Sequence, residues 1–344
     1  MPASDTAPIR PGEELDLARL SAYLREKLPG VAEATAIEQF PCGHSNLTYL
    51  VRAGTREYVL RRPPFGPIPP KAHNMAREYN VLRAIHPAFR QAPRVFHLCE
   101  DATVIGAVFF IMERRHGVIL RDAVPTDAIP SYARHVSEGF IDCLIQLHNV
   151  DLAAHGLTAL GKPDGFLERQ VRGWADRWKH AKTEEIPTMD CMIGWLGERV
   201  PIQQRPAIVH NDYKLDNLML DAQDPGRVEA VLDWEMATTG DPLADLGLAL
   251  CYWSPPANLG AINAITTGPG WFTRDQLIER YANRTGLDVS NIRYYEVFGA
   301  FKLAVILQQI YYRFHAGHTR DERFRHFNDR VRALANAGAA LAGR

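Results

Sequence analysis

The chain of 344 residues is long enough for about two units of the usual ~150 residues. With 46% hydrophobic and 23% charged residues it has a globular composition, which excludes a disordered or fibrous chain. Thirty-nine basic residues against forty acidic ones leave a net charge of −1, which argues against a chain-wide cationic surface for nucleic acid or anionic lipid.

Residues 1–12, with three prolines and no periodic pattern, read as a mobile leader. Leu15, Leu17, Leu20, Leu24 and Leu28 then predict a helix over Glu14–Leu28. Gln39 to Val51 reads as strand, a break at Pro41–Gly43, and strand again from Leu47. Ala53-Gly54-Thr55 turns this strand into Tyr58–Arg61 as a hairpin. The proline-rich run 63–70 is expected as a loop of restricted flexibility, since each proline fixes its own φ. A helix follows from Asn74 to Ile85, ending before Pro87, and the apolar run Val104–Met112 suits a buried strand. Beyond Gly117 the pattern is mostly helical. Ser131–His148 is one helix, and everything from Arg274 onward is helical, including the apolar Tyr294–Tyr312. Strand-like pieces lie within Val200–Leu220 and Val228–Trp234. A strand-rich first third and a helix-rich remainder predict two unequal lobes with a cleft between them.

Cys42, Cys99, Cys143, Cys191 and Cys251 lie more than forty residues apart, which rules out a zinc ribbon or a thioredoxin-type site. Their odd number argues against a disulfide framework. The polar MPASDTAPIRPGEELD does not read as a signal peptide, and no apolar run approaches the ~20 residues of a membrane helix. The expectation is a cytoplasmic protein without membrane or nucleic-acid partners.

The segment Ile208-Val209-His210-Asn211-Asp212-Tyr213-Lys214-Leu215-Asp216-Asn217-Leu218-Met219-Leu220 places polar clusters between apolar flanks. A loop held by buried strands at both ends can fix side chains to catalytic tolerance. Asp212 and Asn217 stand five residues apart, and Val231-Leu232-Asp233 delivers another carboxylate at a strand end. Two oxygen ligands and a nearby carboxylate base are what Mg²⁺-dependent phosphoryl transfer needs, because hard Mg²⁺ takes oxygen donors and keeps several waters.

HNDYKLDN resembles the H-x-D-x-x-x-x-N catalytic loop of the protein kinase fold, and VLDWE resembles its metal-binding D-F-G segment. GDPLADLG, Gly240–Gly247, is similar to the version in aminoglycoside phosphotransferases, choline kinases and related small-molecule kinases. The resemblance implies that Asp212 orients and deprotonates an acceptor hydroxyl, that Asn217 and Asp233 hold magnesium, and that His210 braces the loop. Asp241 and Asp245 would be structural anchors that cap or tie down the following helix.

The first lobe supplies the remaining parts of this resemblance. Ser45 and Asn46, in Cys42–Asn46, fall where the family's phosphate-covering loop lies, although only one glycine is present. Arg61 stands where kinases carry the lysine that grips the α- and β-phosphates, a change from compact ammonium to planar fork. Glu78 resembles the helix glutamate that pairs with that cation. Met112, Glu113 and Arg114 resemble the hinge strand whose backbone meets adenine. Trp234-Glu235 replaces Phe-Gly, so a protein-kinase activation switch need not apply.

VLRRPP, AREYNVL, MERRHG, LHNVD and HNDYKLDN together resemble the kinase-like domain fused to some acyl-CoA dehydrogenases, which would imply a hydroxylated acyl thioester as acceptor. Two features of local charge fit an anionic acceptor. Arg313–Arg344 holds seven arginines against three acidic residues, and Arg169, Arg172, Arg177, Lys179 and Lys182 surround Trp174 and Trp178. His315 and His318 read as surface residues.

The expectation is therefore an α+β, two-lobed protein kinase-like fold. A leader and helix (1–30) would precede a nucleotide-binding N-lobe of antiparallel sheet plus one helix (31–114) and a larger, mainly helical C-lobe (115–344). The activity would be Mg²⁺-dependent transfer of the ATP γ-phosphoryl group to a small-molecule hydroxyl. GTP in place of ATP and the oligomeric state stay open. An aminoglycoside or choline-like kinase and an inactive nucleotide-binding module are the alternatives.

Overall fold

The computed structural model describes residues 5–28, 31, 33–41, 46–65, 73–121, 130–253, 265–319 and 321–343. It divides into one unit of Met1–Gly117 with Glu229–Ala237 and another of Val118–Val228 with Thr238–Arg344.

In the first unit, runs of β-branched, aromatic and leucine residues form β1 (Ala34–Gln39), β2 (Leu47–Ala53), β3 (Arg56–Arg62), β4 (Val95–Cys99) and β5 (Phe109–Glu113). They pair antiparallel in the order β1-β2-β3-β5-β4. The leucine stripe makes α1 (Leu17–Lys27), with Asp16 accepting from the Arg19 N–H as its cap. Its buried face, Leu20 and Leu24, joins Tyr49, Val51, Leu60, Phe109 and Ile111 in one core. Helix α1 packs within this unit. The stretch before it is also tied down. Ala7 exchanges backbone hydrogen bonds of 2.8 and 2.9 Å with Gln39, because the edge strand β1 has backbone groups to satisfy.

The strand expected over 104–112 begins only at Phe109, since residues 102–107 turn and Gly106 takes φ +80. Its sheet neighbour β4 was not foreseen. Most of the proline-rich run, residues 66–70, lies outside the described residues. Helix α2 (Met75–Ile85) is capped by Asn74 and buries Glu78 among apolar residues. The chain rejoins this unit over 229–237, led in by β8 (Val228–Val231), and Trp234 packs edge-on against Phe89.

The second unit is mainly helical: α3 (Pro130–His148), α4 (Phe166–Ala181), α5 (Pro187–Glu198), α6 (Pro242–Tyr252), α7 (Arg274–Thr285), α8 (Ile292–His315) and α9 (Phe327–Leu341). Short strands β6 (Ala207–Val209), β7 (Leu218–Leu220) and β9 (Thr238–Gly240) carry its loops, with β6 antiparallel to β9. Helix α6 is buried from Pro242 to Cys251. It lies so close to α8 that a Cβ on Gly247 would sit 2.4 Å from the Tyr295 carbonyl carbon. Among the described residues no helix is long and apolar enough to cross a membrane, and Cys99, Cys143, Cys191 and Cys251 are free thiols. The architecture is α+β, with the five-stranded sheet in the first unit.

Candidate active site

Two clusters of polar side chains, one in each unit, collect the residues singled out from sequence. In the second unit they sit on the loop between β6 and β7. Apolar β6 is fully buried and paired to β9, which fixes the start of the loop. Tyr213 anchors the middle by donating its hydroxyl to the Phe140 carbonyl at 2.6 Å. A 3-10 turn at Leu215–Asn217 closes the loop onto β7.

Asp212 holds two partners on Oδ2: the Lys214 ammonium at 3.0 Å and the Asn217 amide at 2.9 Å. The same amide donates to the Asp212 carbonyl at 2.8 Å. Oδ1 is less engaged, with the Tyr252 hydroxyl 3.5 Å away. The Asp212 side chain is 19% exposed, so it is accessible yet held. Burial works against the Lys214 charge, but Tyr252 and Asp212 outweigh it and raise the ammonium above its usual range.

His210 is fully buried, and its Nδ1 accepts from the Asp212 N–H at 3.3 Å. Asp245 stands behind the loop on α6 and accepts from the N–H groups of His210 (2.5 Å) and Asn211 (2.7 Å). Burial alone would push the Asp245 carboxyl up; the hydrogen bond from His148 and the fields of His148 and His210 hold it down. Asp241 caps α6 through the Leu243 N–H at 3.0 Å and accepts the Tyr295 hydroxyl at 2.8 Å, while burial keeps its carboxyl raised. Of the two aspartates, Asp241 holds the helix and Asp245 holds the loop between β6 and β7.

In the first unit, Arg61 on β3 lies between Glu78 and Asp233. Its Nη2 bonds the Asp233 carboxylate, and its Nε is 3.1 Å from Glu78 but out of line for a hydrogen bond. Burial disfavours the Arg61 charge, yet Glu78, Asp233 and Glu235 raise the guanidinium further. Burial also raises the Glu78 carboxyl, against the pull of Arg61. Asp233 takes φ +67, which turns the chain sharply after β8. Arg77 of α2 clamps this turn by donating to the carbonyls of Glu235 and Ala237.

Asn46 is buried, and its amide donates to Glu235 at 2.8 Å while its oxygen meets His73 Nδ1 at 2.8 Å. Ser45 lies outside the described residues. Met112 is buried between β3 and β4. Glu113 donates its N–H to the Arg94 carbonyl at 2.8 Å and pairs with Arg115. Arg114 pairs with Asp5 and lies over the Phe40 ring.

Residues of these clusters that escaped the sequence reading include Lys214, Tyr252 and Glu235, and Lys302 of α8, whose ammonium donates to the Asn211 carbonyl. Lys214 lies two positions after Asp212 and Glu235 two after Asp233, so both were within reach of spacing. Lys302 had a fainter signal, a lysine within the apolar run Tyr294–Tyr312. Tyr252 had none.

Among the described residues no three His, Cys, Asp or Glu side chains gather as a metal site. The amide oxygen of Asn217 in the second unit and the carboxylate of Asp233 in the first are each of the donor type that a hard divalent ion takes. Because the Asn217 NH₂ faces Asp212, its Oδ1 is the atom left for a ligand.

The sequence pattern of the phosphotransferase enzyme family matches residues 36–280. Acyl-CoA dehydrogenase family member 10 of Mus musculus is 35% identical over 316 residues, covering 90% of this chain and 29% of that protein. Acyl-CoA dehydrogenase family member 11 of Gallus gallus is 33% identical over 351 residues, covering 98% of this chain and 45% of that protein. The chain thus spans less than half the length of these relatives. A Ralstonia eutropha protein assigned as an aminoglycoside phosphotransferase superposes with a TM-score of 0.82 at 32% identity, over 96% of this chain and 99% of that one. An aminoglycoside phosphotransferase in ternary complex with AMP-PNP and hygromycin B has a TM-score of 0.58 at 17% identity, over 93% and 98% of the two chains, and shares the fold.

Proposed function

The chain belongs to the phosphotransferase enzyme family, and on that premise we propose that it transfers the γ-phosphoryl group of ATP, with Mg²⁺, to the hydroxyl of a small metabolite. The observation that carries this reading is the setting of Asp212. Lys214 and Asn217 occupy Oδ2, while Oδ1 has only a long 3.5 Å contact from the Tyr252 hydroxyl among the described residues and would take the proton of an acceptor hydroxyl. A module that only bound nucleotide would have no use for a carboxylate oriented in this way.

The acceptor oxygen attacks the γ-phosphorus, the bond to the β-phosphate oxygen breaks, and ADP leaves. Asp212 holds the hydroxyl in line and accepts its proton as the new O–P bond forms. Asn217 through Oδ1 and Asp233 through its carboxylate are the donors offered to Mg²⁺, which would supply positive charge to offset that of the phosphates. Arg61, kept charged by Glu78, would turn its outer N–H groups from Asp233 to the nucleotide phosphates. Asn46 would support the neighbouring phosphate-covering segment that includes Ser45. The backbone of Met112–Arg114 would receive the base.

For the acceptor we favour a hydroxylated acyl thioester, because relatives covering almost all of this chain bear the name acyl-CoA dehydrogenase. Arg177, stacked 4.3 Å over Trp174, adds a cation suited to an anionic acceptor. An aminoglycoside is the second reading, favoured by the structural likeness to the Ralstonia eutropha protein.

The test is Asp212→Asn. It is expected to keep the Kd for MgATP within about twofold while turnover falls by roughly 10²–10⁴, the usual weight of a general base. Unchanged turnover would remove Asp212 from the role. Phosphate acceptance by hydroxylated acyl thioesters or aminoglycosides, measured side by side, decides the acceptor.

A further inference from the structure

Lys302 occupies the middle of α8, where its neighbours are apolar, and it is 1% exposed. Among the described residues no carboxylate comes within ion-pair distance of its ammonium. Its Nζ instead donates to the Asn211 carbonyl at 2.6 Å and to Asn211 Oδ1 at 3.2 Å, with the Trp174 ring 5.6 Å away. Burial lowers its pKa to about 8, while Asp245 and Asp212 pull upward and Arg177 and Lys214 push down. A lone lysine in such surroundings is costly unless it holds something.

What it holds is a left-handed turn. Asn211 has φ +67, a conformation that residues with a Cβ adopt seldom and asparagine more readily than most. The two peptide groups flanking its Cα are gripped from separate helices. Asp245 of α6 takes the Asn211 N–H, and Lys302 of α8 takes the Asn211 carbonyl and its side-chain oxygen. That carbonyl shares a peptide plane with the N–H of Asp212, which itself donates to His210. The plane held by Lys302 therefore sets the direction in which the Asp212 side chain leaves the backbone.

We propose that Lys302 is a positioning residue for Asp212, locking the left-handed Asn211 turn that aims the carboxylate. The inference rests on Asp212 being the base, as proposed above. It differs from a packing role in the sign of its consequences. Methionine is close to lysine in length and apolar, so a buried lysine that only fills space should be replaced without loss.

The experiment compares Lys302→Met, Asp212→Asn and the parent protein in ADP release from MgATP with water as acceptor, alongside MgATP affinity and thermal unfolding. Lys302→Met is expected to stay folded at the assay temperature, with any fall in midpoint limited to the loss of the two Asn211 contacts, and to keep its MgATP Kd. Its turnover should fall about tenfold to a hundredfold, the scale of a small misplacement of a reacting group. Turnover within twofold of the parent, or a fall that only follows the folded fraction, would overturn the proposal.

If Lys302→Met does not fold, Asn211→Ala and Asn211→Gly decide. Both lose the Oδ1 acceptor, but glycine adopts the left-handed turn freely. Alanine should therefore lower turnover several-fold more than glycine, and equal values would overturn the proposal. A fall in Asp212→Asn with none in Lys302→Met rejects the positioning role alone. Full activity in Asp212→Asn rejects the base itself.

Discussion

Arg61 on β3 and Glu78 on α2 face each other at 3.1 Å inside the first unit, and the same guanidinium bonds Asp233. One planar fork thus joins a strand, a helix and the carboxylate after β8. A lysine ammonium, as a single compact charge, could not lie along both carboxylates in this way.

Arg61→Met would remove the cation beside buried Glu78, whose carboxyl should then take up a proton. A loss of about 1–3 kcal/mol of stability is expected in urea unfolding at neutral pH, from the lost charge-assisted contacts. Arg61→Lys should fold, with a weaker hold on Asp233 and a Kd for MgATP raised about tenfold by calorimetry, equivalent to roughly 1.4 kcal/mol.

Glu78 also predicts a pH dependence. Burial first, against the pull of Arg61, raises its carboxyl to about 7. A carboxyl raised in the folded state binds protons there that the unfolded chain has released. The stability it contributes is therefore full below about 4.5 and lost as the pH rises through 7. Glu78→Gln should flatten the fall in unfolding midpoint across this window. An unchanged slope would mean that Glu78 stays ionised throughout.

Much of the second-unit cluster was legible because its chemistry is local. Asp212 and Asn217 fall within six residues, and Asp241 and Asp245 share one helical turn. Supports that come from afar were not legible: Lys302 lies 91 positions from Asn211, and nothing in the chain order links them. The same holds in the sheet. Strand β4 alternates weakly and gains its identity from pairing with β5, whereas the start of the apolar run 104–112 was read as strand although Gly106 turns there. The path of residues 5–10 depends on the exposed edge of β1, a property of the sheet rather than of the segment itself.

Lys214→Met tests whether the cation beside Asp212 works in the reaction or only in folding. Its ammonium sits 3.0 Å from Oδ2 and 5.2 Å from the Tyr252 ring. Loss of this charge-assisted contact should lower turnover about tenfold to a hundredfold, the weight of one or two misplaced hydrogen bonds. The unfolding midpoint should stay close to that of the parent, since the site is partly open.

Asp245→Asn should be among the most destabilising changes in the second unit. Its carboxylate accepts two loop N–H groups and faces His148 at 3.4 Å, all buried. Each charged acceptor bond is worth about 1.5–3 kcal/mol, so a loss of about 3 kcal/mol or more is expected in urea unfolding. In the parent, the carboxyl is held below its usual value by His148 and His210 against burial. Its contribution is therefore present above pH 3.8 and lost as the pH falls through the folded value. The variant should lose less stability on acidification from neutral pH.

Two glycines give opposite outcomes from the same substitution. At Gly247 on α6 an added methyl would lie 2.4 Å from the Tyr295 carbonyl carbon of α8, and both are backbone-fixed in a buried interface. Neither helix can yield without opening the packing that carries Asp241 and Asp245, so Gly247→Ala should cost about 1–3 kcal/mol. At Gly173 on α4 no atom lies within 4 Å of the added carbon. There alanine only removes backbone freedom from the unfolded chain, and Gly173→Ala should gain about 0.5–1 kcal/mol. Thermal unfolding of the two variants should move the midpoint in opposite directions. A stabilised Gly247→Ala would show that α6 and α8 are less tightly joined, and it would weaken the case for a rigid support behind the Asp212 loop.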